Sequence, residues 1–392
     1  MNDFNLTITS RNENFWEQRK LEKLSEHKGG TSIEKYFSSD GLYKVISIGS
    51  YGLNNEYIDQ GIRAVKNKTT ESKLVRSGQL TMVLNDKTAN GNLIGRCLLI
   101  SKDNEFIVNQ RTEIIIPGPD LNENYAYYYL NGPFRNKVKK IAQGGTQIYV
   151  NYSSVKRQKI NYPIKNEQIK ISKLLKIIKS LITLYERKTK LIKQIQSSFL
   201  DKFFFEPNNV TSLNHFLRIR NGYAFKSSEL TENGEIPVVK ISNIGNDKSF
   251  AFTTKEKNKE QFALYPNDIV IALSGATAGK INQVSNKYPI YYQNQRVGFF
   301  ERKNDKLDYE YLNSFLHSKK FKSQLQKTLV AGAQPNIAPK DIEKIKIPFI
   351  GYKLQQKIGQ VNKYLFELQR INKSKLTLLD KIKKTLLNNM FV

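Results

Sequence analysis

The chain has 392 residues, with 63 Lys and Arg against 35 Asp and Glu, and a formal net charge of +28 at pH 7. This length suffices for two globular domains, and the charge predicts a polyanionic partner, with nucleic acid ahead of an anionic membrane surface. No stretch approaches eighteen continuous apolar residues and the first residues lack a signal-peptide core, which excludes a membrane span. Cys97 is the single cysteine, so an internal disulfide is excluded and a cytoplasmic location is predicted.

The first predicted elements are a mixed domain over residues 1–165 and a long helix over 166–205. In the domain, short β-rich runs such as LTMVL and EIIIP are separated by Gly, Asn and Asp turns, and a helical segment lies at about 121–142. In the long helix, apolar residues alternate at spacings of three and four, which is typical of the a and d seam of a coiled coil. The predicted seam begins with Ile171, Leu174, Ile178 and Leu181.

The second half of the chain repeats this order. Residues 206–350 combine β-rich runs such as PVVKI and DIVIAL with a helical segment at about 307–329. Residues 351–392 form a second long amphipathic segment. Its predicted seam begins with Ile358, Val361, Leu365 and Leu368.

Short matches between the halves indicate a tandem duplication. The triplet NQR occurs at Asn109–Arg111 and at Asn294–Arg296, 185 positions apart. GNLIGR from Gly91 matches GATAGK from Gly275, and KVISIG from Lys44 matches KISNIG from Lys240. Seven such pairs keep the same order at offsets between 184 and 196. The sequence therefore predicts two duplicated α+β domains, with twelve extra residues in the first copy between positions 50 and 90.

The equivalent seams predict that the two long helices pair with each other as an antiparallel coiled coil. An approximate two-fold between the halves would bring Ile171 near Leu386 and Phe199 near Ile358. Lys188 and Lys375 would interrupt the seam near its middle. The alternative is two amphipathic helices that lie on separate cores.

The sequence offers no catalytic constellation. GATAGK has three residues between its glycines rather than four and is followed by Ile281, so it predicts a tight turn rather than a phosphate loop. Asp120 and Glu123 fit a polar loop better than a nuclease site. His27, His215 and His317 have neither metal nor catalytic spacing. A non-catalytic DNA-binding protein is predicted; the alternatives are a standalone nuclease or methyltransferase and a coiled-coil adaptor without DNA contact.

Candidate DNA contacts fall into two classes. Residues shared by the two copies cannot discriminate between two half-sites, so they are predicted scaffold or phosphate contacts: Arg96, Arg111, Lys280 and Arg296. Base readout is predicted where the copies differ, at positions 50–90 and 246–267. The candidates there are Tyr51, Arg63, Lys66, Lys68, Lys248, Lys255 and Lys257.

In its order of features the whole chain resembles the specificity subunits of type I restriction–modification systems. The features are WEQRKLEKL at Trp16, the paired glycine turns, the paired NQR strands, GAQPNIAPKDIEKIKIP before the second helix, and QQKI at Gln355. The resemblance implies two target recognition domains that each read half of a bipartite DNA sequence and are held apart by the two helices. It also implies two methyltransferase subunits docked on the helices, with restriction and translocase subunits joining them. S-adenosylmethionine, ATP and Mg²⁺ would belong to those partners, and this chain would hold no cofactor.

Overall fold

The computed structural model describes residues 16–87, 90–205, 209–245, 249–254, 257–328 and 336–389. They divide into two compact units. Unit 1 consists of two segments, the residues up to Tyr185 and the residues from Lys375 onward. Unit 2 consists of the residues from Glu186 to Ser374. Within the described ranges, no helix is both long enough and apolar enough to cross a membrane.

The strands of unit 1 form two four-stranded sheets, ordered β2-β10-β6-β8 and β4-β3-β9-β5, and two pairs, β1-β12 and β7-β11. Their bounds are β1 (Glu17–Lys20), β2 (Ser25–Gly29), β3 (Tyr43–Ile46), β4 (Arg63–Ala64), β5 (Leu74–Val75), β6 (Leu80–Val83), β7 (Asn85–Asp86), β8 (Cys97–Leu99), β9 (Phe106–Val108), β10 (Thr112–Pro117), β11 (Ile148–Tyr149) and β12 (Lys159–Tyr162). The helices that begin in this unit are α1 (Lys68–Glu71), α2 (Glu123–Asn131), α3 (Pro133–Ile141), α4 (Tyr152–Val155) and α5 (Lys165–Phe204).

The strands that begin in unit 2 form sheets ordered β14-β21-β18-β19 and β16-β15-β20-β17, and the pair β13-β22. Their bounds are β13 (Val210–Ser212), β14 (Leu217–Asn221), β15 (Ile236–Val239), β16 (Ala251–Thr253), β17 (Ala263–Leu264), β18 (Ile269–Ala272), β19 (Ile281–Gln283), β20 (Tyr291–Gln293), β21 (Val297–Arg302) and β22 (Lys346–Pro348). The helices are α6 (Tyr309–His317), α7 (Lys319–Thr328), α8 (Pro339–Glu343) and α9 (Tyr352–Asn389).

Apart from the pair β7-β11 of unit 1, the strands described in the two units repeat one topology. We call β4-β3-β9-β5 and β16-β15-β20-β17 the second sheet of unit 1 and of unit 2. In each second sheet the two central strands are parallel, β3 with β9 and β15 with β20, and the other strand pairs are antiparallel. In each, a helical hairpin follows the longest strand, and a short helix and strand precede the long helix. The predicted α+β fold and the tandem duplication are therefore confirmed.

Alternating side chains of one strand in each unit divide the core into two layers. In β6, Leu80 and Met82 pack with the helical hairpin, whereas Val83 packs toward the second sheet. In β18, Ile271 and Val270 divide in the same way. Such a strand is buried on both faces, which explains its continuous apolar sequence.

Equivalent backbone hydrogen bonds correct one of the sequence matches. Asn109 N donates to Ile46 O at 3.0 Å, and Asn294 N donates to Val239 O at 3.1 Å. Ile46 therefore corresponds to Val239, 193 positions on, and the match of Lys44 to Lys240 was wrong by three residues. The first copy exceeds the second by nine residues before the glycine turn, where the offset is 184, and not by twelve.

The glycine turns lie between antiparallel strands, as predicted, and bring the chain close to the helical hairpin. Gly95 and Gly279 have φ angles of 71° and 81°, in the left-handed region that favours glycine. A Cβ on Gly95 would lie 2.8 Å from Val138 Cγ1, and one on Gly279 would lie 3.0 Å from Leu325 Cδ2. The second glycine of each turn is thus required by both backbone conformation and packing.

A buried glutamine anchors the beginning of each long helix. Gln168 Oε1 accepts from Asn122 N at 2.8 Å, and its amide donates to Pro163 O and Asp120 O. Gln355 makes the same set of bonds to the loop before α6 and to the residues before α9. Both side chains are fully buried, so the two helices begin at equivalent positions, 187 residues apart.

Within unit 1, the beginning of α5 packs against the end of α9. Leu386 lies in the same apolar cluster as Ile171, as predicted. Further along, the Lys375 ammonium lies 5.5 Å from the centre of the Tyr185 ring. Later residues of α5 meet earlier residues of α9, so the two segments run antiparallel.

Within unit 2, the segments of α5 and α9 are antiparallel as well. Phe199 shares a cluster with Ile358, as predicted. Gln196 Nε2 donates to Asn362 Oδ1 at 2.8 Å, and Gln369 Nε2 donates to Gln196 Oε1 at 2.7 Å. The interface between the helices in this unit therefore contains a buried amide layer.

Half of the predicted seam positions were wrong. Ile171, Ile178 and Ile358 are buried and Leu365 is half-buried, as expected. The exposed side chains are Leu174 at 41%, Leu181 at 37%, Val361 at 44% and Leu368 at 43%. In each case the next residue faces the partner helix instead: Leu175, Ile182, Asn362 and Gln369. The helices bury a stripe with a spacing of four then three, because apolar residues occupy two adjacent stripes and only one can face inward.

The two lysines predicted to interrupt the seam do not lie in it. Lys188 and Lys375 are both exposed, and the residues that occupy the seam beside them are Thr189 and Leu376, which are half-buried. The polar residues that are fully buried in the seam are amides: Gln196, Asn362 and Asn372.

Candidate DNA-contact residues and helix surfaces

The NQR triplets form the crossover between the two sheets in each unit. Asn109 and Asn294 bond to the second sheet as described, while the carbonyls of Arg111 and Arg296 accept from Leu84 N and Leu273 N at 2.9 and 3.0 Å. Both arginine side chains are exposed, and neither forms an ion pair with a described residue. Their backbone role is structural in both copies, and their free guanidinium groups suit phosphate contact.

The glycine turns carry one cation each, but the two cations differ in environment. Arg96 donates to Asn92 O and Leu53 O, both at 2.7 Å, and to the Asn55 side chain, and burial lowers its pKa. Lys280 is exposed and has no ion pair among the described residues. Arg96 is thus held inside its domain, whereas Lys280 is available to solvent.

Among the readout candidates of unit 1, the prediction that Tyr51 reads bases was wrong. Its side chain is 2% exposed and packs in the apolar cluster between the sheets, so it cannot reach DNA. Both Nη atoms of Arg63 lie 2.8 Å from Asp59, and Lys66 lies 3.5 Å from Glu71.

Lys68, the first residue of α1, is exposed and unpaired within the described ranges. Of the four candidates in this unit, it is the cation whose charge is least satisfied. No observation on the chain tests its contact with a base, which stays a prediction.

The readout candidates of unit 2 fall largely outside the described residues. Lys248 and Lys255 lie outside them, and for Lys257 only the backbone is described, at the start of a 3-10 helix (Lys257–Phe262). Two residues on, Lys259 is 1% exposed and pairs with Glu229 at 2.7 Å. Its ammonium also lies 5.1 Å from the centre of the Tyr223 ring, so this lysine holds the 3-10 helix in place.

The structure also brings together residues that the sequence patterns missed. Lys28, Arg76, Gln79 and Asn104 line one polar cleft of ≈ 190 Å³ in unit 1. They come from β2 and from two separate turns, so no local motif marks them. Cations beside amides are the residue types that contact phosphates and base edges.

Each long helix carries a second apolar stripe that faces solvent. Its members are Leu174, Ile177, Leu181, Leu184, Leu191 and Ile195 on α5, and Val361, Tyr364, Leu368, Ile371, Leu378 and Ile382 on α9. Each is between 37% and 58% exposed, and each member on α9 follows its counterpart on α5 by 187 positions. Apolar rows of this length on a surface mark an interaction site. We call these two rows the outer stripes.

Chemical groups suited to catalysis do not converge in the described part of the chain. No group of three or more His, Cys, Asp or Glu residues is placed there to hold a metal ion. Burial raises the pKa of the Cys97 thiol and lowers that of His317, which leaves both groups uncharged at neutral pH. Neither lies beside a nucleophile or base that would use it.

Comparison with known proteins gives one family. The model described as "Type I restriction modification DNA specificity domain" matches residues 13–194 and again 206–383. The chain is 26% identical over 365 residues to the type I restriction enzyme MjaVIII specificity subunit of Methanocaldococcus jannaschii, covering 86% of this chain and 84% of that protein.

Two solved structures share the fold. An S subunit of a type I restriction–modification system from M. genitalium matches with a TM-score of 0.69 and 19% identity over 97% of each chain. A structure from work on complex assembly and conformational transition of the type I R-M system matches with a TM-score of 0.54 and 14% identity, over 95% of this chain and 96% of that one.

Proposed function

This chain belongs to the family of type I restriction–modification DNA specificity subunits, and on that premise we propose how it engages DNA and its partner subunits. It has two DNA-recognition domains, and specificity subunits are non-catalytic. Nothing in the comparisons supports a standalone nuclease or methyltransferase. We infer that each domain reads one half of a bipartite duplex target in the cytoplasm. The duplicated topology is the observation that carries this inference.

The outer stripes are the proposed docking surfaces for methyltransferase subunits. Unit 1 contributes six of the twelve exposed side chains, four from α5 and two from α9. Unit 2 contributes the other six, two from α5 and four from α9. Because the two sets are equivalent by the duplication, one kind of partner surface fits both. This favours two copies of one methyltransferase subunit, with restriction and translocase subunits joining that assembly.

The cofactors are proposed to belong to those partners. Methyl transfer from S-adenosylmethionine would take place on the methyltransferase subunits, and ATP and Mg²⁺ would serve the restriction subunits. The specificity subunit would determine the DNA site at which the complex binds, through the position of its recognition domains on the duplex. Its surplus of positive charge supports this role, because phosphate neutralisation contributes much of the affinity of DNA-binding proteins.

The test of docking uses matched glutamate pairs on the two outer stripes. We expect wild-type protein to bind two methyltransferase subunits, as measured by native mass spectrometry. Leu181→Glu/Leu184→Glu and its counterpart Leu368→Glu/Ile371→Glu should each bind one, and the combined variant none. Placing charges in an apolar interface leaves them desolvated and unpaired, which costs several kcal/mol each.

The control is Lys173→Glu, an exposed position on α5 outside both the seam and the outer stripe. Like the glutamate pairs, this substitution makes the net charge more negative, and it should leave two methyltransferase subunits bound. If the combined variant still binds two methyltransferase subunits, the outer stripes are not the docking surfaces. Far-ultraviolet circular dichroism would show that the variants keep their helices.

A further inference from the structure

A short hairpin in the first recognition domain reaches the long helix α5. Ile58 N donates to Ser50 O and Gly52 N donates to Glu56 O, both at 2.9 Å, which closes residues 50–58 into two short arms. At the turn, Asn55 has a φ of 61°. The hairpin lies inside the segment where base readout is predicted.

Three side chains hold the tip of this hairpin. Lys179 of α5 lies 3.0 Å from the Glu56 carboxylate, and Tyr127 of α2 donates its hydroxyl to Asn55 O at 2.9 Å. Arg96 donates to Leu53 O at 2.7 Å. Lys179 also lies 3.2 Å from the Tyr127 hydroxyl, so helix, domain and hairpin meet at one point.

The chemistry of this junction favours a fixed geometry. Burial disfavours the Lys179 ammonium, but Tyr127 and Glu56 outweigh that effect and raise its pKa. The side chain of Lys179 is 28% exposed, so water screens these contacts only in part. Hydrogen bonds to a charged group are stronger than those between neutral groups.

The hairpin leads directly into residues that are candidates for reading bases. The Tyr57 ring packs edge-on against Phe106 of β9 at 4.9 Å. Asp59 then binds both Nη atoms of Arg63. A displacement of the hairpin would therefore move this loop and its arginine.

The second unit has a different arrangement at the same place. Asn313, the counterpart of Tyr127 in the nine-residue helix α6, is buried, and its Oδ1 has no hydrogen-bond partner among the described residues. Phe366 stands where α5 has Lys179, and its ring packs edge-on against His317 at 4.7 Å. These side chains line a cavity of ≈ 480 Å³. Within the described ranges, no ion pair joins α9 to a loop of the second sheet.

We propose that Lys179 and Tyr127 are positioning residues for the first half-site: through them, the helix that carries the partner subunit fixes the recognition hairpin. The proposal rests on the proposed function, because it assigns a role to the contact between a docking helix and a recognition domain. It makes reading of the first half-site dependent on this contact, whereas reading of the second half-site is independent of it.

The test is adenine-methylation sequencing of genomic DNA from cells that contain the full complex with wild-type or variant specificity subunit. Lys179→Met keeps the length and packing of the side chain and removes its charge. Tyr127→Phe removes only the hydroxyl. For each we expect the preference for the correct first half-site over single-base variants to fall on the order of tenfold, with the second half-site unchanged. Lys179→Arg should retain wild-type preference, and Lys179→Glu with Glu56→Lys should restore it.

Three outcomes would overturn the proposal. Both half-sites could remain at wild-type preference, both could relax equally, or the Lys179→Met protein could lose its methyltransferase subunits in native mass spectrometry. The glutamate pairs on the outer stripes test docking separately, so failure of the proposed function would be seen there. If Lys179→Met does not fold, Tyr127→Phe and Glu56→Gln carry the same test.

Discussion

The buried seam residues of the helix pair are apolar in unit 1, whereas in unit 2 they include amides. In unit 1, Ile171, Leu175 and Ile178 of α5 are buried. In unit 2, the matching stretch of α9 places Asn362 at the position of Leu175, bonded to Gln196. Equivalent positions therefore have different roles. Burial of the apolar residues stabilises the helix pair in unit 1, whereas the amides in unit 2 specify the register of the two helices at some cost in stability.

The largest effect should come from the apolar half. Leu175→Ala should lower the free energy of unfolding by about 2–5 kcal/mol, because it leaves a cavity beside a fully buried cluster. Urea denaturation followed by circular dichroism would measure the loss. The control is Leu184→Ala on the outer stripe, where the side chain is 58% exposed and a change near zero is expected. Equal losses in the two variants would contradict the assigned seam.

The glycine turns test how far the two units are equivalent. Gly95→Ala and Gly279→Ala should each cost about 1–3 kcal/mol, because a left-handed residue acquires a side chain that crowds the helical hairpin. Gly61→Ala is the control for backbone strain alone, since no atom lies within 4 Å of its Cβ position. Thermal unfolding would compare the three. A loss in only one of the two turns would show that the copies have diverged there.

The amide layer should respond in a way that an apolar seam cannot. Asn362→Leu alone should destabilise unit 2 by about 1 kcal/mol, because it leaves the Gln196 amide unpaired in a buried site. Replacing Gln196, Asn362 and Gln369 together by Leu should recover that loss or exceed it, since no unpaired group remains. Denaturant unfolding of the single and triple variants would measure both. A triple variant less stable than the single one would contradict a role limited to specifying the pairing.

The smallest effect concerns a carboxylate that supports the NQR turn of unit 1. Hydrogen bonds from Ser32, Asn109 and Gln110 lower the pKa of Glu34 to about 2. A lowered carboxyl pKa stabilises the folded state at pH values above the ordinary glutamate pKa of about 4.3, and that stability is lost as the pH falls toward 2. Because Glu34 is exposed, the contribution should be only a few tenths of a kcal/mol. Unfolding midpoints of wild type and Glu34→Gln should differ above pH 5 and converge near pH 2.

Much of the fold could be predicted from the sequence because periodicity and Pro or Gly positions determine where helices lie. The long helix α5 begins and ends within one residue of its prediction. The choice of seam could not be predicted, because α5 carries apolar residues at both Leu174 and Leu175. The seam in unit 2 contains amides that look like surface residues. Only the facing helix decides which stripe is buried.

The candidate site was predicted less well. Tyr51 was a candidate for base readout because it lies in the segment where the two copies differ, yet its ring fills the space between the sheets. The contact between Lys179 and Glu56 joins residues far apart in the chain, and no local pattern marks it. Interactions of this kind depend on the completed fold.

The outer stripes have a consequence for the subunit when it is made without its partners. Twelve large apolar side chains would then remain in water on a molecule that is kept apart from its copies mainly by its charge of +28. Added salt screens that repulsion but does not weaken apolar association. The free subunit should therefore become less soluble in the same range of ionic strength that releases it from DNA, and its yield in a cell should depend on how much methyltransferase is synthesised beside it.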